Sequence, residues 1–157
     1  FGGLMAASVI GRYEEDIDAI PKMAFFIPLI AAMGGNVGVQ SSAIIVQGLA
    51  NQSLSDNSLL SRLLKELGVA LVNALILSVL IIGASLFLGY GLKLALTVSV
   101  ALFAVIVVAA LIGTFVPLAL DKYKVDPALA TGPFITTLND IIGLFLYFQI
   151  GRLILGL

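Results

Sequence analysis

The sequence has no cysteine and no histidine. That removes a disulfide framework, thiol chemistry and any imidazole or thiolate metal site, so a metal handled by this chain must be held by oxygen. Charge is scarce as well, at 11% of residues with a formal net charge of -1, which excludes a basic footprint for nucleic acid. No glycine-rich phosphate loop with its lysine is present, so this segment does not drive transport with ATP, and any energy comes from an ion gradient. What remains is 61% hydrophobic with a mean hydropathy of +1.17 over 157 residues. These values mark a membrane domain. Its fold is expected to be all-α, and no enzymatic role is expected of it.

One carboxylate stands out against that background. Residues 133–147, PFITTLNDIIGLFLY, put Asp140 inside an apolar run long enough to cross a bilayer. An Asp at the centre of a membrane helix costs roughly 2.5 to 3.5 kcal/mol on insertion scales, so such residues face a bundle interior or a wet cavity and mark ion or substrate paths. On a helix, Pro133, Thr137, Asp140, Gly143 and Tyr147 recur at spacings of three or four, predicting one polar or small face that lines something aqueous.

A second polar centre lies in residues 20–50, where Gly34, Gly35, Asn36, Gly38, Gln40, Ser41 and Ser42 interrupt an apolar helix. Asn36, Gln40, Gln47 and Asn51 share one helical face, and Gly34, Gly38 and Ser42 allow a neighbouring backbone to approach closely. Pro28 and the glycine pair predict a weakened or broken helix whose freed carbonyls face protein or water and serve as cation ligands.

The rest reads as scaffold and connections. Residues 1–11 span about half of a roughly 30 Å hydrocarbon core and read as a truncated first helix without the features of a cleaved signal. Residues 11–18, GRYEEDID, hold four of the nine acids and read as an aqueous loop. Residues 51–61 read as a loop with Asp56 or Ser58 capping the next helix, whose start carries an apolar stripe of Leu59, Leu60, Leu63, Leu64 and Leu67, an Arg62–Glu66 surface pair, and Glu66 as a candidate at a pore mouth. A Gly89–Tyr90–Gly91 turn predicts an antiparallel hairpin of the third and fourth helices, with Asn73, Thr97 and Ser99 as interhelical hydrogen-bond partners and a bend at Gly113 and Pro117. Asp126 and Pro127 suit the start of a fifth helix over 127–156. The expected helices are therefore 1–11, 20–50, 60–88, 92–120 and 127–156, five transmembrane segments per chain. Lys and Arg divide four against four between the two sides, which leaves orientation undecided.

The segments PLIAAMGGNVGVQSSAIIVQGLA, RLLKELGVA and VDPALATGPFITTLNDIIGLFLYF, in that order, resemble the membrane domain of the MgtE-type magnesium channels. GGNxGxQ and DPAxxxxPxxTTxxDxxG carry most of the likeness. The resemblance implies a multi-pass protein of the cell membrane, a bacterial or archaeal inner membrane, working as a homodimer with its pore on the two-fold axis. It implies a pore lined by the second and fifth helices, with Asp140 binding partly hydrated Mg2+. The implied lining comprises Gly35, Asn36, Gly38, Gln40, Gly132, Pro133, Thr136, Thr137, Asn139 and Gly143. Cytoplasmic N-terminal and CBS regulatory domains of such proteins are absent from these residues, and where some members carry a polar side chain before the fifth-helix proline, Gly132 offers only its carbonyl.

The residues themselves suit magnesium, which demands near-octahedral oxygen coordination, sheds water reluctantly and is held by one or two carboxylates with several waters kept. A two-fold axis would double the single Asp140 charge around one ion. The competing expectations are a sodium- or proton-coupled divalent cation exchanger and a structural subunit in which Asp140 merely bonds a neighbouring helix.

Overall fold

A computed structural model describes the backbone of residues 2–51, 56–130 and 132–157, and their side chains except those of 56–60, 62 and 63. The expected caps at Asp56 or Ser58, the leucine stripe at 59, 60 and 63, and the Arg62–Glu66 pair lie outside the described residues. Among the described residues six α-helices follow in order: α1 (Gly2–Gly11), α2 (Glu14–Ala19), α3 (Ile27–Ala50), α4 (Asp56–Phe87), α5 (Leu92–Lys122) and α6 (Pro133–Leu155). Short 3-10 turns at Pro21–Phe26 and Pro127–Ala130 lead into α3 and precede α6. The described residues contain no strand.

Four segments are long and apolar enough to cross a membrane: Pro21–Ala50, Leu64–Phe87, Leu92–Lys122 and Pro127–Leu155. The apolar α1 has ten residues, about 15 Å, and is too short to do so by itself. Among the described residues there are thus four full-length spans and one short apolar helix where five segments are expected.

The bundle is built around α5, which packs against α3, α4 and α6 and buries Val98, Leu102, Val105, Ile106 and Ala109. In contrast α4 turns Val72, Leu75, Ile76, Val79 and Leu80 outward, the all-apolar surface that lipid requires. The α4–α5 hairpin closes through Gly89 and Gly91, both at positive φ (75° and 83°), a conformation glycine adopts without steric penalty. Across this hairpin Ser78 and Ser99 exchange bonds, each hydroxyl donating to the other's carbonyl at 3.0 and 2.9 Å. Ser99 therefore fulfils its expected interhelical role. Thr97 does not: its hydroxyl donates to the Lys93 carbonyl one turn back in its own helix. Asn73 is half-buried on α4.

Three expectations are corrected. Residues 14–19 are helical, because Glu14, Glu15 and Asp16 occupy the first turn, where carboxylates complement the helix dipole. The glycines of the second polar centre leave α3 unbroken, and Pro28 sits in its first turn, where no internal hydrogen bond is lost. No interior carbonyl of α3 is thereby freed for a cation. The last helix starts at Pro133, because Gly132 breaks the chain direction with φ 65° and ψ -129°. The expected Asp126 cap belongs instead to the preceding 3-10 turn, its carboxylate accepting from the Ala128 N–H at 2.9 Å.

Candidate cation site

The seam between α3 and α6 is built from small residues. Along α3 the buried positions are Ile30, Gly34, Gly35, Gly38, Ser41, Ser42, Ile45 and Gly48, one stripe at spacings of three and four. What these glycines leave room for is specific. A Cβ at Gly34 would stand 3.1 Å from Val105, one at Gly38 would overlap the Asn139 side-chain amide, and one at Gly113 would overlap the Gly38 carbonyl oxygen. Gly113 is thus a site of close approach between α5 and α3, and the expectation of a bend had missed that role. Ser42, fully buried, donates to the Ala130 carbonyl at 3.0 Å and ties α3 to the turn ahead of α6.

Asp140 stands in this seam, partly exposed. A Cβ on Gly35 would lie 3.4 Å from its Oδ1 and 3.6 Å from the Thr136 methyl, so Gly35, Thr136 and Asp140 meet at one place. The Thr136 hydroxyl turns back onto the first turn of α6, 3.3 Å from the Gly132 carbonyl and 3.1 Å from that of Pro133. The Gly132 carbonyl also accepts from the Thr136 N–H at 3.1 Å. Thr137, half-buried, lies against the start of α1, since a Cβ at Gly2 would come 2.6 Å from its hydroxyl oxygen. Pro133 is exposed, as are Asn36, Gln40, Gln47 and Asn51, the polar face expected on the second helix.

Other residues in the expected lining occupy the packing. Asn139 is 2% exposed, and neither its side-chain nitrogen nor its oxygen has a hydrogen-bond partner. Gly143 faces Val105 and Ile30, and Tyr147 is buried with its hydroxyl donating to the Met23 carbonyl at 2.9 Å. The face running from Pro133 to Tyr147 therefore starts at the surface and ends in the core, so only its first half is accessible. Glu66 is half-buried on α4, a helix that packs on α5 and takes no part in the α3–α6 seam.

Among the described residues no group of three or more carboxylates could cage a metal ion. Asp140 is the only acid lying within a span away from its ends. One carboxylate with hydroxyl and carbonyl oxygens nearby suits a cation that keeps most of its water, and does not suit one needing six to eight direct oxygens.

A helical bundle of this kind, with lipid-compatible outer faces and one carboxylate set into a glycine-lined seam, is a multi-pass membrane protein. Comparison with known proteins specifies the family. The profile of MgtE, described as a divalent cation transporter, matches residues 27–150, and the chain belongs to that family. It is 35% identical over 150 residues to the magnesium transporter MgtE of Bacillus subtilis, covering 96% of this chain and 33% of that protein. It is 35% identical over 153 residues to the magnesium transporter MgtE of Thermus thermophilus, covering 98% and 34%. An Enterococcus faecalis magnesium transporter MgtE matches with the same identity and coverage as the Thermus protein. The chain spans about a third of the length of these relatives.

Proposed function

We propose that this chain forms the membrane passage of a magnesium-selective transport protein, with Asp140 as the charge that recognises the hydrated ion. The observation that carries this reading is the position of Asp140, half-exposed beside Gly35 and Thr136 in a span with no other central charge. A membrane buries such a group at a penalty unless an ion or water meets it. The proposed lining is Gly35, Asn36 and Gln40 on α3 with Gly132, Pro133, Thr136 and Thr137 at the start of α6. Gly38, Asn139 and Gly143 stand behind it as packing.

The exposed amides Asn36, Gln40 and Gln47 support a homodimer, because hydrocarbon cannot satisfy them and a second copy facing them across an aqueous path can. Two Asp140 carboxylates across that axis would repel one another, and a divalent ion relieves the repulsion. Asp140→Asn tests the reading: it removes the charge and keeps the size, so the variant is expected to purify and unfold like wild type while magnesium flux into liposomes is lost. Wild-type flux from a well-folded Asn variant would make Asp140 structural. Unitary currents in planar bilayers distinguish a channel from a coupled exchanger, which gives none.

A further inference from the structure

A second polar site lies toward the far end of α6 from Asp140. A cavity of about 440 Å3 is lined by Val9, Arg12, Tyr13, Phe145, Gln149 and Arg152. Its polar wall is fixed in place by several contacts. Arg152 donates through Nε to the buried Asp16 carboxylate at 2.8 Å and lies with its Cζ 4.7 Å over the Tyr13 ring. Gln149 donates to the Tyr13 hydroxyl at 2.9 Å, and Tyr13 stacks on Phe148 at 4.5 Å. A guanidinium has five N–H donors, so the bond to Asp16 leaves others available. Arg12 is exposed and makes no ion pair among the described residues. Two guanidinium groups line the cavity and, among the described residues, no carboxylate does; Asp16 pairs with Arg152 and Glu15 adds a weaker attraction to it, so the positive charge left unpaired is that of Arg12.

The level of the cavity matters as much as its charge. It sits where apolar α1 gives way to acid-rich α2 and near the end of α6, the boundary between hydrocarbon and water. At the same end Lys93 donates to the Leu155 carbonyl at 3.0 Å and Lys22 lies 5.7 Å from the centre of the Tyr90 ring, a belt of cations and aromatics of the kind found at headgroup depth. Phe145 is seven positions before Arg152, about 10 Å deeper along the helix, and Val9 is likewise below Arg12. The cavity is therefore basic at headgroup depth and apolar beneath it.

We propose that this cavity binds one anionic glycerophospholipid, its phosphodiester between Arg12 and Arg152 and the start of its acyl chains against Val9 and Phe145. A singly charged phosphodiester matches the surplus positive charge, and paired arginines suit its oxygens. Basic pockets between membrane helices are established sites for anionic headgroups. The test is native mass spectrometry of the full chain in detergent with added phosphatidylglycerol or phosphatidylcholine. Wild type is expected to retain one phosphatidylglycerol in preference to phosphatidylcholine. Arg12→Gln, at an exposed position, should weaken that retention about tenfold, the equivalent of one charge-assisted bond. Lys93→Gln removes a cation from the same end outside the cavity and should leave retention unchanged. Wild-type retention in Arg12→Gln, or an equal loss in Lys93→Gln, overturns the assignment. Displacement of the lipid by millimolar inorganic phosphate also overturns it, since the cavity would then take a small anion.

Discussion

Asn139 and Asp140 are adjacent in sequence and have opposite surroundings. The carboxylate is partly open, whereas the amide is buried against Gly38 with both polar atoms unpartnered. Leaving such a group unsatisfied costs about 1 to 3 kcal/mol, so Asn139→Leu, of similar volume, is expected to raise stability by about 1 kcal/mol and keep magnesium flux. Thermal unfolding in detergent and liposome flux measure the two effects, and loss of flux alongside the gain would return Asn139 to the pathway. Gly38→Ala is expected to act in the other direction. Its Cβ overlaps the Asn139 amide and lies 2.9 Å from the Ile135 side chain, so the α3–α6 seam must part at about 1 to 3 kcal/mol, seen as a lower unfolding temperature. The placement of Asp140 inside a span was legible in the sequence, from the apolar run around it. The burial of Asn139 was not, because one residue of helical rotation separates an accessible position from a core one, and single-helix periodicity does not say where the neighbouring helices stand.

At the scale of elements, the hairpin turn was legible from Gly89 and Gly91, whose positive φ is what a turn of that length needs. The long apolar helix α4 was legible from composition alone, but its outward-facing side was not. The start of α6 was read wrongly because Pro127 and Pro133 both suit a first helical turn, and only the conformation of Gly132 between them decides. That residue offers its own test: alanine at φ 65° is strained, so Gly132→Ala should destabilise the chain by about 1 to 2 kcal/mol. Chemical unfolding is the measurement, and an unchanged midpoint would show that the segment adapts. Continuity of α3 was unreadable for a related reason. Its glycines weaken the isolated helix, yet packing against α5 and α6 more than offsets the loss, and a sequence displays only the weakening.

For the whole molecule, the proposed second copy facing the exposed polar face of α3 is open to a direct test. The cysteine-free chain makes this measurable: Asp140→Cys is expected to cross-link subunits with short bifunctional thiol reagents. Cross-linking confined to cysteines on α4 or α5 would place the axis elsewhere. Asn36→Leu on α3 should reduce flux while Asn73→Leu on α4 is tolerated, and equal tolerance would argue that α3 does not border the path. The touching backbones at Gly38 and Gly113 carry one more consequence. Two helices with no side chains between them at their crossing can neither come closer nor slide a full turn without collision, but they can swivel. That crossing is a fulcrum, and any motion of α3 against α5 is a scissoring that moves the ends and leaves the middle still. Spin labels at positions 50 and 122 should therefore change separation between magnesium-free and magnesium-loaded states, while labels at 39 and 112, beside the crossing, keep theirs.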